Sequence, residues 1–212
     1  MGKKDVDPPQ LGEPFGIRRA FTKRFPLGQF SQTVAQAAAE VRPFFASPDD
    51  IAEVNINVSH SAIKIMADGP DKWRPQTHET ADHSIPYSAG IVLMYGKIEP
   101  EYYEDPYLHD ARLLDLVGRI KCLPSEEADR TENEFNLCEL EVVLKSGARK
   151  TVRVEYHRGH FKNPMSDAEL EEKFRLMAQK QLSADRVDRL LGLLWNLENE
   201  PRLSNLIAAT LS

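Results

Sequence analysis

Apolar positions along the chain change their period several times, and each change marks an element. Residues 31–41 hold Ala at several positions together with Val34 and Val41, which predicts a helix. Pro43 and Pro48 end it. From Ala52 to Ser59 the pattern alternates, with Val54, Ile56 and Val58 on one face, and predicts the first strand. A short helix over 60–67 follows, then a loop opened by Asp68-Gly69-Pro70-Asp71. A continuous apolar stretch next predicts one buried helix, beginning near Ala81 and closed by Gly96. Leu113, Leu114, Leu116 and Val117 predict another helix before a strand over 119–123. Two alternating runs, 137–145 and 149–156, joined by Ser146-Gly147-Ala148, predict a hairpin in which Leu140, Val142 and Leu144 answer Val152 and Val154. Ser166-Asp167-Ala168-Glu169 is a capping box that opens a helix to about Lys180. Ser183 is the expected cap of the next helix, through Leu197, and 203–211 reads as a last short one.

Strands interspersed with helices, then helices only, predict an α+β fold. It is a small, mostly antiparallel sheet with helices packed on it and a helical C-terminal appendage. The expected boundaries are a flexible polar leader over 1–14, an α+β domain over 15–165 and C-terminal helices over 166–212.

Composition narrows the class. Hydrophobic residues make up 41% and charged residues 28%, the balance of a soluble globular protein. The apolar run around Ile91–Tyr95 is too short to cross a bilayer, and nothing near Met1 resembles a secretion signal. The expectation is a cytoplasmic protein without a membrane partner. The net charge of −6 argues against nucleic acid, which calls for a basic face. Residues 98–145 hold thirteen Asp or Glu against five Lys or Arg, whereas residues 1–30 hold six basic against three acidic. The acidic run is expected to be solvated surface, and the basic one either surface or a face for an anionic substrate. Cys122 and Cys138, sixteen apart, match no zinc pattern and read as buried free thiols. Two cysteines cannot supply the ligands of an iron–sulfur cluster, so acid–base chemistry without a metal or cofactor is expected.

The densest chemistry lies in Arg74-Pro75-Gln76-Thr77-His78-Glu79-Thr80-Ala81-Asp82-His83-Ser84-Ile85-Pro86-Tyr87. Polar groups at that density beside a buried segment are costly unless something uses them. His78 and His83 are five apart, which puts the imidazoles on different helix faces, unlike a zinc pair. His83 and Ser84 either cap the following helix or, with Asp82 and Tyr87, face a substrate. Arg74 offers a planar fork for a carboxylate, or pairs at the surface with Asp71 or Glu79. His157 and His160, around Arg158-Gly159, are expected to cap or solvate a turn. Tyr102, Tyr103 and Tyr107 read as a packing cluster.

This segment resembles a motif of the 2-methylcitrate dehydratase family (MmgE/PrpD), in which Arg-Pro-x-Thr leads into Ala-Asp-His-Ser-x-Pro-Tyr and a helix ending in Gly. Lys23-Arg24-Phe25-Pro26, followed by Gln32 and an Ala-rich helix, resembles the Lys-x-x-Pro start of the family's second domain. Gly159-His160 and Asn163-Pro164-Met165-Ser166 resemble its Gly-x-x-x-Asn-Pro-x-Ser turn. The resemblance implies the C-terminal, lid-like half of a longer protein whose remainder is a helical domain. It further implies a cofactor-independent lyase acting on di- or tricarboxylates. Lys23, Arg74, Thr77, Asp82 and Ser84 would bind substrate, and His83 or Tyr87 would move a proton. Where many members place a His after Lys-x-x-Pro, this chain has Gln29-Phe30-Ser31-Gln32, a departure that puts the reaction in doubt. The competing expectation is a non-catalytic subunit that dimerises, or joins a separate helical chain, through an apolar stripe of Val187, Leu190, Leu191, Leu194 and Leu197.

Overall fold

The computed structural model describes residues 15–211, so the expected leader lies outside the described residues. The chain divides into two compact units at Pro164/Met165. The first is built around a four-stranded sheet in the order β2-β1-β3-β4. Strand β1 (Ile51–Val58) runs parallel to β2 (Ile120–Pro124) and antiparallel to β3 (Cys138–Leu144), and β3 pairs antiparallel with β4 (Arg149–Val154). The sheet is therefore mostly antiparallel and the fold α+β.

Register follows from the alternation. Val54 lies opposite Ile120 and Val142, Ile56 opposite Cys122 and Leu140, and Leu140 opposite Val152, so one face is apolar across all four strands. Helix α1 (Ser31–Val41) packs on β3 and β4, and α4 (Ile85–Tyr95) packs on α1, on β2 and on α5 (Ala111–Val117). Val34, Ala38, Ile85, Ile91 and Leu93 are wholly buried there, each large aliphatic contributing about 1.5–3 kcal/mol. The opposite face is a polar ladder: Lys121 pairs with Glu53, Asn55 bonds Glu53 and Glu141, and Arg149 pairs with Glu141. Such exposed pairs add little to stability but keep that face in water.

Several boundaries differ from the sequence pattern. The expected single helix from Ala81 is two, α3 (His78–Asp82) and α4, because the chain turns at His83-Ser84 and Ser84 caps the second. Gly96 does close α4, with φ 75°. Helix α2 (His60–Met66) sits as expected, and α6 (Glu126–Thr131), inside the acidic run, is a helix that the apolar pattern does not predict. Its signal is Ser125, whose hydroxyl accepts from Ala128 N–H.

The second unit holds α7 (Asp167–Ala178), α8 (Ala184–Trp195) and α9 (Leu203–Thr210). The capping box at Ser166 and Glu169 forms in both directions, whereas Ser183 makes no side-chain cap bond. Val187, Leu190 and Leu191 of the apolar stripe are buried, and Leu194 and Leu197 are exposed. Among the described residues no helix is long and apolar enough to cross a membrane.

Candidate active site

The chemically dense segment folds into a junction between two helices. Thr77 starts α3: its hydroxyl accepts from Thr80 N–H and lies 3.0 Å from the Thr80 hydroxyl. His83 follows the last helical residue, with φ −104° and ψ 30°, and breaks the run. Ser84 then starts α4, accepting from Tyr87 N–H at 3.1 Å while its hydroxyl donates to the Lys72 carbonyl at 2.5 Å. The loop carrying Arg74 is thus pinned at Lys72 and again at Thr77, both anchored to the same junction.

A second segment reaches this junction from the chain's start. Gln32, wholly buried at the head of α1, clamps the turn before it: Nε2 donates to the Phe25 and Leu27 carbonyls and Oε1 accepts from Phe25 N–H. The clamped turn delivers Gly28, whose N–H donates to the Asp82 carbonyl at 2.9 Å. A Cβ on Gly28 would stand 2.4 Å from Met66 Cε and 3.4 Å from His83 Cδ2. The space a side chain would need at Gly28 is taken by the end of the buried Met66 side chain. Gly28 was not singled out by sequence, although a Gly directly after Phe25-Pro26-Leu27 was the available signal.

His83 Nδ1 lies 2.5 Å from Asp82 Oδ1 and 3.2 Å from the Glu79 carbonyl. Both partners only accept, so Nδ1 carries a proton, and the nitrogen that can lose or take one is Nε2. The His83 side chain is 50% exposed and that of Asp82 23%. A half-exposed imidazole held at Nδ1 by a carboxylate, with Nε2 making no hydrogen bond among the described residues, has the layout of a general base. Arg74 is exposed, and among the described residues its guanidinium makes no hydrogen bond or ion pair. It does not pair with Asp71 or Glu79. Lys23 is exposed in the segment before the Gln32-clamped turn.

The other candidates are placed differently. Ser84 is wholly buried and its hydroxyl is used in both directions, which makes it a helix cap. Thr77 is an exposed cap whose hydroxyl remains near solvent. Tyr87 is wholly buried, donates to the Tyr102 carbonyl at 3.1 Å, and is pushed well above the usual phenol range by burial. Its hydroxyl is spent on packing α4 against the aromatic segment, away from solvent. His78 pairs with Glu104 at 2.6 Å while His83 pairs with Asp82, so the two imidazoles serve different carboxylates. Tyr102 and Tyr107 pack with Tyr95 as a ring cluster, and Tyr103 is buried beside His78. Of the two expectations for His157 and His160, capping rather than solvating the turn holds: His160 Nδ1 accepts from Lys162 N–H, and both rings are buried, at 4% and 6% exposure, among aromatic rings.

Residues 25–199 match the MmgE/PrpD C-terminal domain family. The chain is 30% identical over 180 residues to a cis-aconitate decarboxylase of Homo sapiens, covering 84% of this chain and 37% of that protein. It is 28% identical over 182 residues to a 2-methylcitrate dehydratase of Escherichia coli (strain K12), covering 81% of this chain and again 37% of the relative. A mitochondrial 2-methylcitrate dehydratase of Yarrowia lipolytica is 27% identical over 150 residues, 66% of this chain and 28% of that one. The chain thus spans closer to a third than to a half of these relatives. With the match covering most of its length, it belongs to the MmgE/PrpD family and carries that family's C-terminal domain.

Proposed function

We propose that this chain is the lid-like part of a cofactor-independent lyase of the 2-methylcitrate dehydratase kind, acting on di- or tricarboxylates by proton removal next to a carboxylate. The observation that carries the reading is the Asp82–His83 pair, in which Asp82 and the Glu79 carbonyl hold Nδ1 of a half-exposed imidazole. Taking a proton from carbon beside a carboxylate builds negative charge on that carboxylate, and the step needs a placed base and nearby cations. In this reading His83 Nε2 takes the proton, and the Asp82 carboxylate stabilises the imidazolium that forms. Arg74 grips a substrate carboxylate with two parallel hydrogen bonds, as only a guanidinium can. Lys23 supplies a second positive charge. Ser84 and Tyr87 hold α4 and so fix the junction without touching substrate.

Relatives are named for decarboxylation and for dehydration; losing CO2 and losing a proton beside a carboxylate both build negative charge that nearby cations stabilise, so the lyase class is better supported than either reaction. The acid for a leaving hydroxyl and the exclusion of water fall to a helical domain closing over this one, and turnover requires it. Calorimetric titration with cis-aconitate, citrate and 2-methylcitrate tests the reading. Saturable heat that is lost in Arg74→Ala supports it, and binding indifferent to that substitution refutes the assignment.

A second reading, a non-catalytic subunit that self-associates or joins a helical chain, is favoured by the exposed Leu194, Trp195, Leu197, Leu203 and Ile207 of the C-terminal unit. Light scattering separates the two: a dimer that dissociates in Leu194→Glu and binds no carboxylate fits this second reading.

A further inference from the structure

Strand β2 lies at the edge of the sheet, with β1 on one side only. Val54 N–H donates to the Arg119 carbonyl at 3.1 Å, and Ile120 stands in register with Val54. Successive carbonyls along a strand point to opposite sides, so the Ile120 carbonyl faces the open edge, where no neighbouring strand satisfies it. Ile120 is 2% exposed, and a buried carbonyl there needs a donor from elsewhere in the fold. The Trp73 indole supplies it. Its Nε1–H donates to the Ile120 carbonyl at 2.9 Å, from a side chain packed against the core.

Trp73 immediately precedes Arg74, the proposed carboxylate ligand, and this bond spans 47 positions of the chain. Local bonds close the loop around the pair. Lys72 N–H donates to the Gly69 carbonyl at 3.2 Å, and the Trp73 and Arg74 N–H groups both donate to the Pro70 carbonyl at 3.1 Å. Gln76 Nε2 donates to the Arg74 carbonyl at 3.1 Å, and Pro75 is buried. Arg74 is thus an exposed residue between two held ones, with its own backbone bonded at both N–H and carbonyl. The Ser84 and Thr77 caps tie this loop to the nearby α3–α4 junction, and Trp73 ties it to the sheet.

That arrangement bears on binding. A guanidinium that grips a carboxylate from a mobile loop must order the loop as it binds, and a backbone held beforehand removes that cost. We propose that Trp73 is a positioning residue for Arg74. Its indole bond to the sheet edge sets the loop in advance, and it touches no substrate atom itself. The inference rests on the carboxylate role given to Arg74 above.

Trp73→Phe keeps an aromatic ring against the core and removes the donor. Titrated with cis-aconitate by calorimetry, it binds about fivefold more weakly than the unmodified protein, the worth of one hydrogen bond. Tyr95→Phe, which takes a donor from Asp110 elsewhere in the same unit, binds as the unmodified protein does. In an Arg74→Ala background Trp73→Phe has no further effect, because it acts through Arg74. Unchanged binding by a folded Trp73→Phe, or the same loss in both backgrounds, overturns the inference and leaves the Arg74 assignment standing. No saturable binding by the unmodified protein, or no loss in Arg74→Ala, overturns both. If Trp73→Phe fails to fold, the unmodified protein still decides. Its two tryptophans are Trp73 and Trp195, and the Trp73 indole N–H should exchange with solvent far more slowly than that of Trp195, which is 47% exposed. Similar exchange at the two indoles overturns the anchor and the inference with it.

Discussion

The Gly28 amide donates to the Asp82 carbonyl at 2.9 Å, joining two segments more than fifty positions apart in the chain. A Cβ added to the same glycine would come within 3.4 Å of the His83 ring, so Gly28 neighbours both members of the proposed base pair. Adding a Cβ there must displace the end of the Met66 side chain, which is 1% exposed, and brings a methyl into contact with His83. Gly28→Ala is expected to cost about 1–3 kcal/mol of stability through overpacking. It should also shift the His83 ring resonances, while Gly147→Ala, far from this junction, leaves them in place. Denaturant titration and imidazole NMR check both parts.

Ser84 and Tyr87 are assigned to structure, and their substitutions should show it. Ser84→Ala removes the cap of α4 and leaves the Lys72 carbonyl without its donor, an expected loss of about 1–3 kcal/mol. Tyr87→Phe leaves the Tyr102 carbonyl unmatched at about 1 kcal/mol. Carboxylate affinity in Tyr87→Phe should match the parent. A selective loss of affinity in a fully folded Tyr87→Phe would return that hydroxyl to the substrate.

Acid sensitivity should appear in two stages. Burial lowers the folded-state pKa of His157, so its stabilisation is present above the unfolded value of about 6.5 and is lost as pH falls from there toward the folded value. Partial burial pushes Asp110 upward, but hydrogen bonds from the Tyr95 hydroxyl and from Leu113 and Arg112 N–H outweigh it and hold the carboxyl low. That contribution is present above about 3.9 and is lost as pH falls through the lower folded value. Thermal midpoints measured from pH 7 to pH 3 should fall first between 7 and 5. His157→Phe should flatten that first decline, and Asp110→Asn the second.

The cysteines should be inert while the protein is folded. Burial pushes the Cys122 thiol up to about 12 and the wholly buried Cys138 thiol further still, so neither forms the reactive thiolate at pH 8. Iodoacetamide followed by mass measurement should find both unmodified in the native protein and both alkylated in denaturant.

The sheet was readable because it is buried on one face only. Val54, Ile56, Leu140 and Val142 alternate with residues that stay in water, and that alternation also fixes their register. Gly96 and the Ser166–Glu169 box were readable because each satisfies a local backbone demand. The α3–α4 break was not, since Ala81, Ile85 and Ala89 are all buried and give one continuous apolar signal across a turn. Arg74, Asp82 and His83 were legible as chemistry, but the anchoring of Asp82 rests on Gly28, held by the Gln32-clamped turn in a segment far away in sequence. The burial of His157 and His160 was equally hidden, because it comes from Phe21 and from a turn closed by Asn163. Local pattern carries local geometry, and only tertiary contact shows which polar groups are already spent.

The most direct test of the central claim is calorimetric titration of the protein with cis-aconitate and 2-methylcitrate, repeated on Arg74→Ala and His83→Ala. A carboxylate site at the Asp82–His83 junction predicts saturable binding to the parent. Arg74→Ala should then lose about tenfold or more in affinity, the scale of a charge-assisted hydrogen bond, and His83→Ala should bind within a few-fold of the parent because its proposed role is proton transfer. No saturable binding by the parent, or equal binding by parent and Arg74→Ala, would contradict the account.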